Sequence, residues 1–104
     1  MIQTTTYDRA VALVRLKTDV VVLLYIPNDP LCSRARSVLG LFENRLENLG
    51  YTVLAIPVNE HSAHYEEVSC VRVPQLRVFS RSRLKTKLTG LFSYEDLRAV
   101  VDTL

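Results

Sequence analysis

Val20-Val21-Val22-Leu23-Leu24-Tyr25-Ile26 is an unbroken apolar run. It is too short and too rich in valine for an amphipathic helix. The pattern therefore predicts a strand over 19–26 buried on both faces, as in the centre of a parallel or mixed sheet. Before it, Tyr7, Ala10, Val11 and Val14 recur at helical spacing up to Leu16. Thr4, Thr5 or Thr6 can cap that helix, because a hydroxyl accepts from an unpaired N–H of the first turn. After the run, Pro27-Asn28-Asp29-Pro30 breaks the strand. Pro30 suits the first turn of a helix, where a missing N–H costs nothing. Ala35, Val38, Leu39, Phe42, Leu46 and Leu49 then form one apolar stripe, predicting a single long helix that Gly50 stops.

Tyr51 to Val58 predicts the next strand, with Pro57 near its end, where a lost donor matters least. Asn59 to Val68 is polar and predicts a short helix. Pro74 precedes a strand over 75–80, Arg81-Ser82-Arg83 reads as a turn, and Leu84 to Thr89 pairs back as a hairpin closed by Gly90. Ser93 caps a last helix with Asp96 three residues on, a weaker form of the capping box. Tyr94, Leu97, Val100, Val101 and Leu104 line its buried side. The order is α-β-α-β-α-β-β-α, an α/β fold with a four-stranded mixed sheet flanked by helices. The first two strands are joined by a helix and should be parallel through a right-handed crossover.

Composition narrows this without redirecting it. At 104 residues and 48% hydrophobic, the chain is expected to form one domain, 1–104, with an ample core. No run approaches the roughly 20 apolar residues of a membrane span. The first residues lack the basic-then-apolar layout of a signal peptide, so a cytoplasmic address is expected. Two cysteines, Cys32 and Cys70, are too few for a disulfide framework. The net charge of +2 is modest, but its distribution is uneven. Arg72, Arg77, Arg81, Arg83, Lys85 and Lys87 occur with no acidic residue among them, just after Glu60, Glu66 and Glu67. Because charge runs are usually solvated and the overall balance is near neutral, nucleic acid is disfavoured as a partner. His61 and His64 lie at helical spacing, but no third strong ligand accompanies them, so no metal site is expected.

The element order, the helix opening at the end of the first strand and the proline before the hairpin together resemble the thioredoxin fold over essentially the whole chain. Val22-Leu23-Leu24-Tyr25 resembles the strand leading into that family's active site. Arg72-Val73-Pro74-Gln75 resembles its cis-proline segment, and Pro30-Leu31-Cys32-Ser33-Arg34-Ala35-Arg36 resembles the glutaredoxin segment that begins inside a Cys-Pro-Tyr-Cys motif. The resemblance implies a cis Val73–Pro74 bond, a resolving-type thiol at Cys32 and a peptide-binding or glutathione-binding surface around Pro74. It also exposes departures. Asp29 stands where the nucleophilic cysteine should be, Asn28 where thioredoxins usually have tryptophan, Leu23 in place of the buried aspartate that handles protons, and Ala55 roughly where a lysine would partner it.

Dithiol exchange needs a low-pKa thiolate at the helix N-terminus and a second thiol to resolve the mixed disulfide. Asp29 can cap the helix but cannot carry electrons. Three readings follow. One is a binding protein that holds a protein or peptide partner through Asp29, Pro30, Leu31, Arg72, Val73, Pro74 and Gln75, with no cofactor. Another is a monothiol redox protein acting through Cys32, with glutathione as co-substrate. The third is a basic nucleic-acid-binding module using Arg81, Arg83, Lys85 and Lys87, of which residues 83, 85 and 87 share one strand face. For Cys32 and Cys70 the plain alternative is core packing, since free cysteine behaves as a small hydrophobe. Arg77 is odd, because it falls in a strand the fold buries.

Overall fold

A computed structural model describes residues 2–16, 18–58 and 73–104. The elements are β1 (Gln3–Thr4), α1 (Tyr7–Arg15), β2 (Val20–Tyr25), α2 (Pro30–Gly40), α3 (Glu43–Asn48), β3 (Thr52–Pro57), β4 (Gln75–Ser80), β5 (Arg83–Thr89) and α4 (Tyr94–Val101). The helix expected over 59–68, the histidine pair His61 and His64, Cys70 and Arg72 all lie outside the described residues.

The sheet is mixed, in the order β1-β3-β2-β4-β5. β2 runs parallel to β3 and antiparallel to β4, and β4 runs antiparallel to β5. The central position of β2 explains its unbroken apolar sequence. Val20 to Leu24 are all buried, alternating between two cores. Val21 and Leu23 face Ala35, Leu39, Phe42, Leu46, Leu97 and Val101 from α2, α3 and α4. Val20, Val22 and Leu24 face Ala10 of α1, with Tyr7, Leu13 and Val14 packed around it. Burying each such leucine contributes about 1.5–3 kcal/mol relative to exposure.

Three features depart from the sequence pattern. The sheet has five strands, not four, because Gln3 and Thr4 pair with Leu54 and Ala55 before Thr6 caps α1. A two-residue strand carries no alternation that a sequence could reveal. The long helix expected to Gly50 is two helices. At the break, Leu41 N–H donates to Val38 C=O at 3.1 Å and Phe42 N–H to Leu39 C=O at 3.0 Å, the tight bonding of a helix end. The stripe survives the break as far as Phe42 and Leu46, which still reach the core, while its last member, Leu49, is half exposed. The hairpin turn is only Arg81-Ser82, both at positive φ (53° and 66°). That is the signature of the two-residue turn that matches strand twist. Arg83 already belongs to β5, opposite Ser80.

The hairpin register also corrects the basic face. A bulge leaves Lys85 without a partner, so Arg83 lies across from Ser80 while Lys87 lies across from Arg77. Arg83 and Lys87 therefore project from opposite faces of the sheet, instead of sharing one. At the last helix the capping box is complete: Ser93 Oγ accepts from Asp96 N–H at 3.1 Å and Asp96 Oδ2 from Ser93 N–H at 2.9 Å. Tyr94 is half exposed rather than buried, but its ring stacks on Phe42 with centroids 4.9 Å apart.

Candidate functional site

The site lies at the end of the sheet where β2 finishes and α2 begins. Asp29 N–H donates to Ile26 C=O at 3.3 Å, closing a turn with Pro27 and Asn28 at its centre. Asn28 sits at φ 64°, a left-handed conformation that asparagine tolerates better than most residues. The turn delivers Asp29 to the N-cap of α2 with Pro30 in the first turn. Asp29 Oδ2 accepts from Cys32 N–H at 2.9 Å, satisfying one of the orphan donors of the helix start.

Cys32 is buried at 2% exposure. Its Sγ accepts from Ile26 N–H at 3.3 Å. Burial pushes the thiol above its ordinary range. The Ile26 N–H opposes that, while hydrogen bonding to Asp29 and the charge of its carboxylate add to it. The thiol is thus held in its neutral form by desolvation and by an acidic neighbour. Leu23 and Ala55 are register partners on β2 and β3, both wholly buried and neither titratable.

On the other side of β2, Leu24 pairs with Gln75. That brings the start of β4 level with the end of β2. The Val73–Pro74 bond is cis, and Pro74 is buried. Pro74 C=O accepts from Gly90 N–H at 2.8 Å, which fastens this loop to the end of the hairpin. Gln75 is the one buried polar side chain among the described residues. Its Nε2 donates to Thr89 Oγ1 at 3.4 Å, and its Oε1 accepts from Arg77 Nε at 2.6 Å. Arg77, the odd residue of the sequence pattern, is half-buried and anchored through Gln75 on the α1 face of the sheet. There it borders an apolar cavity of about 340 Å³ with Tyr7, Val22 and Phe79.

The structure thus gathers Asp29, Pro30, Leu31, Cys32, Val73, Pro74 and Gln75 around one end of the sheet. Leu31 is half exposed. Sequence reasoning missed Ile26, whose backbone caps the sulfur, and Leu91, which follows the Gly90 contact to Pro74. Both side chains are exposed by more than two fifths. Ile26 stands next to Pro27, which was the available signal for it; Leu91 carried none. It also missed Tyr25 beneath the Arg36 guanidinium, 5.6 Å from the ring centroid, a cation–π contact that holds Arg36 on the flank of α2. Among the described residues no three His, Cys, Asp or Glu side chains cluster as metal ligands.

The fold is that of solved thioredoxin structures. The mitochondrial thioredoxin 3 of Saccharomyces cerevisiae, in its oxidized form, superposes with a TM-score of 0.79 at 14% identity over 99% of this chain and 95% of that one. Thioredoxin O2 of Arabidopsis thaliana gives 0.80 at 15% identity over 98% and 94%. A thioredoxin of Malassezia sympodialis gives 0.80 at 16% identity over 99% and 90%. No family model and no curated protein matches the chain. At these identities the likeness is one of fold: the chain has the α/β thioredoxin-like fold, a mixed sheet flanked by helices. No helix among the described residues is long and apolar enough to cross a membrane.

Proposed function

We propose that this protein is a thioredoxin-fold binding module that holds an extended segment of a protein partner on the Pro74 face and performs no dithiol exchange. The observation that carries the reading is the pair Asp29 and Cys32. The position that would attack a disulfide holds a carboxylate committed to capping α2, and the remaining thiol is buried beside it and kept neutral. Leu23 and Ala55, both apolar, supply no proton relay. What the face retains is a backbone loop at Val73-Pro74 and an apolar rim of Ile26, Leu31 and Leu91. Such a loop suits an extended peptide by strand-like backbone pairing, with the rim taking its apolar side chains.

One observation favours a second reading, monothiol exchange with glutathione through Cys32: the Ile26 N–H donates to Sγ and favours a thiolate. The two readings separate in one experiment. Peptide-array binding by the full chain, repeated with Leu31→Glu and with Cys32→Ser, should lose its signal in the first variant and keep it in the second. Insulin reduction and glutathione-disulfide exchange should both stay at background. Glutathione turnover that disappears in Cys32→Ser would replace the binding reading with the redox one.

A further inference from the structure

A second surface lies away from the Pro74 face. β5 is an outer strand of the sheet, hydrogen-bonded to β4 on one side only among the described residues. It is seven residues long, and all but Thr86 and Leu88 are exposed. At about 3.4 Å per residue that leaves more than 20 Å of strand edge with outward backbone groups. The strand and its turn carry Arg81, Arg83, Lys85 and Lys87, and no acidic residue occurs between Arg72 and Tyr94. We propose that β5 is a docking edge for an acidic segment of a partner protein, added as a further strand.

The register selects this occupant. Arg83 and Lys87 stand on opposite faces of the sheet because of the bulge at Lys85. A strand added beside β5 has side chains on both faces, so acidic residues on either face meet a cation across the new pairing. Opposite charges there are favourable and like charges unfavourable. A second copy of this chain brings Arg83, Lys85 and Lys87 against themselves, so the edge repels its own kind. A nucleic-acid backbone needs its cations gathered along one face, which the bulge prevents. The exposed Leu84, opposite Phe79 on β4, adds an apolar contact for a branched residue of the incoming strand.

The test uses the full chain and a fluorescein-labelled peptide of about eight residues, with adjacent glutamates flanked by valines. Anisotropy should report binding that weakens as salt rises. The Lys85→Glu, Lys87→Glu double variant should bind about tenfold more weakly or worse, with an unchanged circular dichroism spectrum. A backbone N-methylated peptide of the same charge should not bind. Amide exchange along β5 should slow when the unmodified peptide is present, a readout that needs no variant. Absence of binding, equal binding of the N-methylated peptide, unchanged β5 exchange, or tighter binding of a short nucleic-acid duplex would each overturn the proposal. The last would reassign the edge to phosphate.

Discussion

Cys32 shows how a single neighbour changes what a thiol is. The start of a helix normally favours a thiolate through the dipole and free N–H groups. Here Asp29 takes the Cys32 N–H and places its own negative charge there, and burial does the rest. The folded thiol titrates above its unfolded value, which lies near 8.5. As pH rises past that value the unfolded chain releases the proton first, so Cys32 favours folding below about pH 8.5 and loses that advantage as pH climbs through the folded pKa. Urea melts of wild type and Cys32→Ala should differ most near neutrality, and the gap should narrow as pH climbs through the raised folded pKa. A gap that holds constant would place the thiol at its ordinary value. Asp29→Ala removes the cap as well as the charge. It should cost about 1 kcal/mol in the same melts and make Cys32 faster to alkylate with iodoacetamide. The departures at Asp29, Leu23 and Ala55 were legible as residue types in the sequence. The sulfur's hydrogen bond from Ile26 was not, because a backbone donor leaves no mark on residue identity.

At the level of elements, β2, α1 and α4 were legible because burial on one or two faces imposes a period that residue types must follow. The α2–α3 break was not. The apolar stripe continues through it, and only Gly40 hints that the backbone tightens. A methyl group built at Gly40 meets nothing within 4 Å. Gly40→Ala is therefore expected to stabilise the chain by about 0.5–1 kcal/mol through the entropy of the unfolded state, seen as a raised denaturation midpoint at unchanged slope. A loss of stability there would mean that the turn after α2 needs the glycine. The hairpin carries the opposite lesson. Asn-Gly or Asp-Gly would have announced its turn, but Arg81-Ser82 fills two left-handed positions without either signal. Ser82 compensates by donating from Oγ to Val14 C=O at 2.7 Å, which ties the turn to the end of α1.

The whole sheet divides into a patterned centre and unpatterned edges. Its centre is fixed by apolar sequence, while its edges are fixed by details too small to leave a pattern. β1 is two residues long, and the bulge in β5 shifts the register by a single residue. The cations of β5 were visible from the start, but their distribution over both faces followed only from that bulge. The same arrangement has a consequence for the molecule as a unit. Seven residues of exposed edge strand invite self-pairing, and Arg83, Lys85 and Lys87 oppose it by charge. A Lys85→Val, Lys87→Val double variant keeps the hairpin register and raises β propensity while removing most of that repulsion. It should elute as dimers or larger species in size exclusion at concentrations where the wild-type chain stays monomeric, and high salt should push the wild type part of the way by screening the same charges. If the variant remains monomeric, charge is not what keeps two copies apart, and the twist added by the bulge in each copy mismatches the two edges.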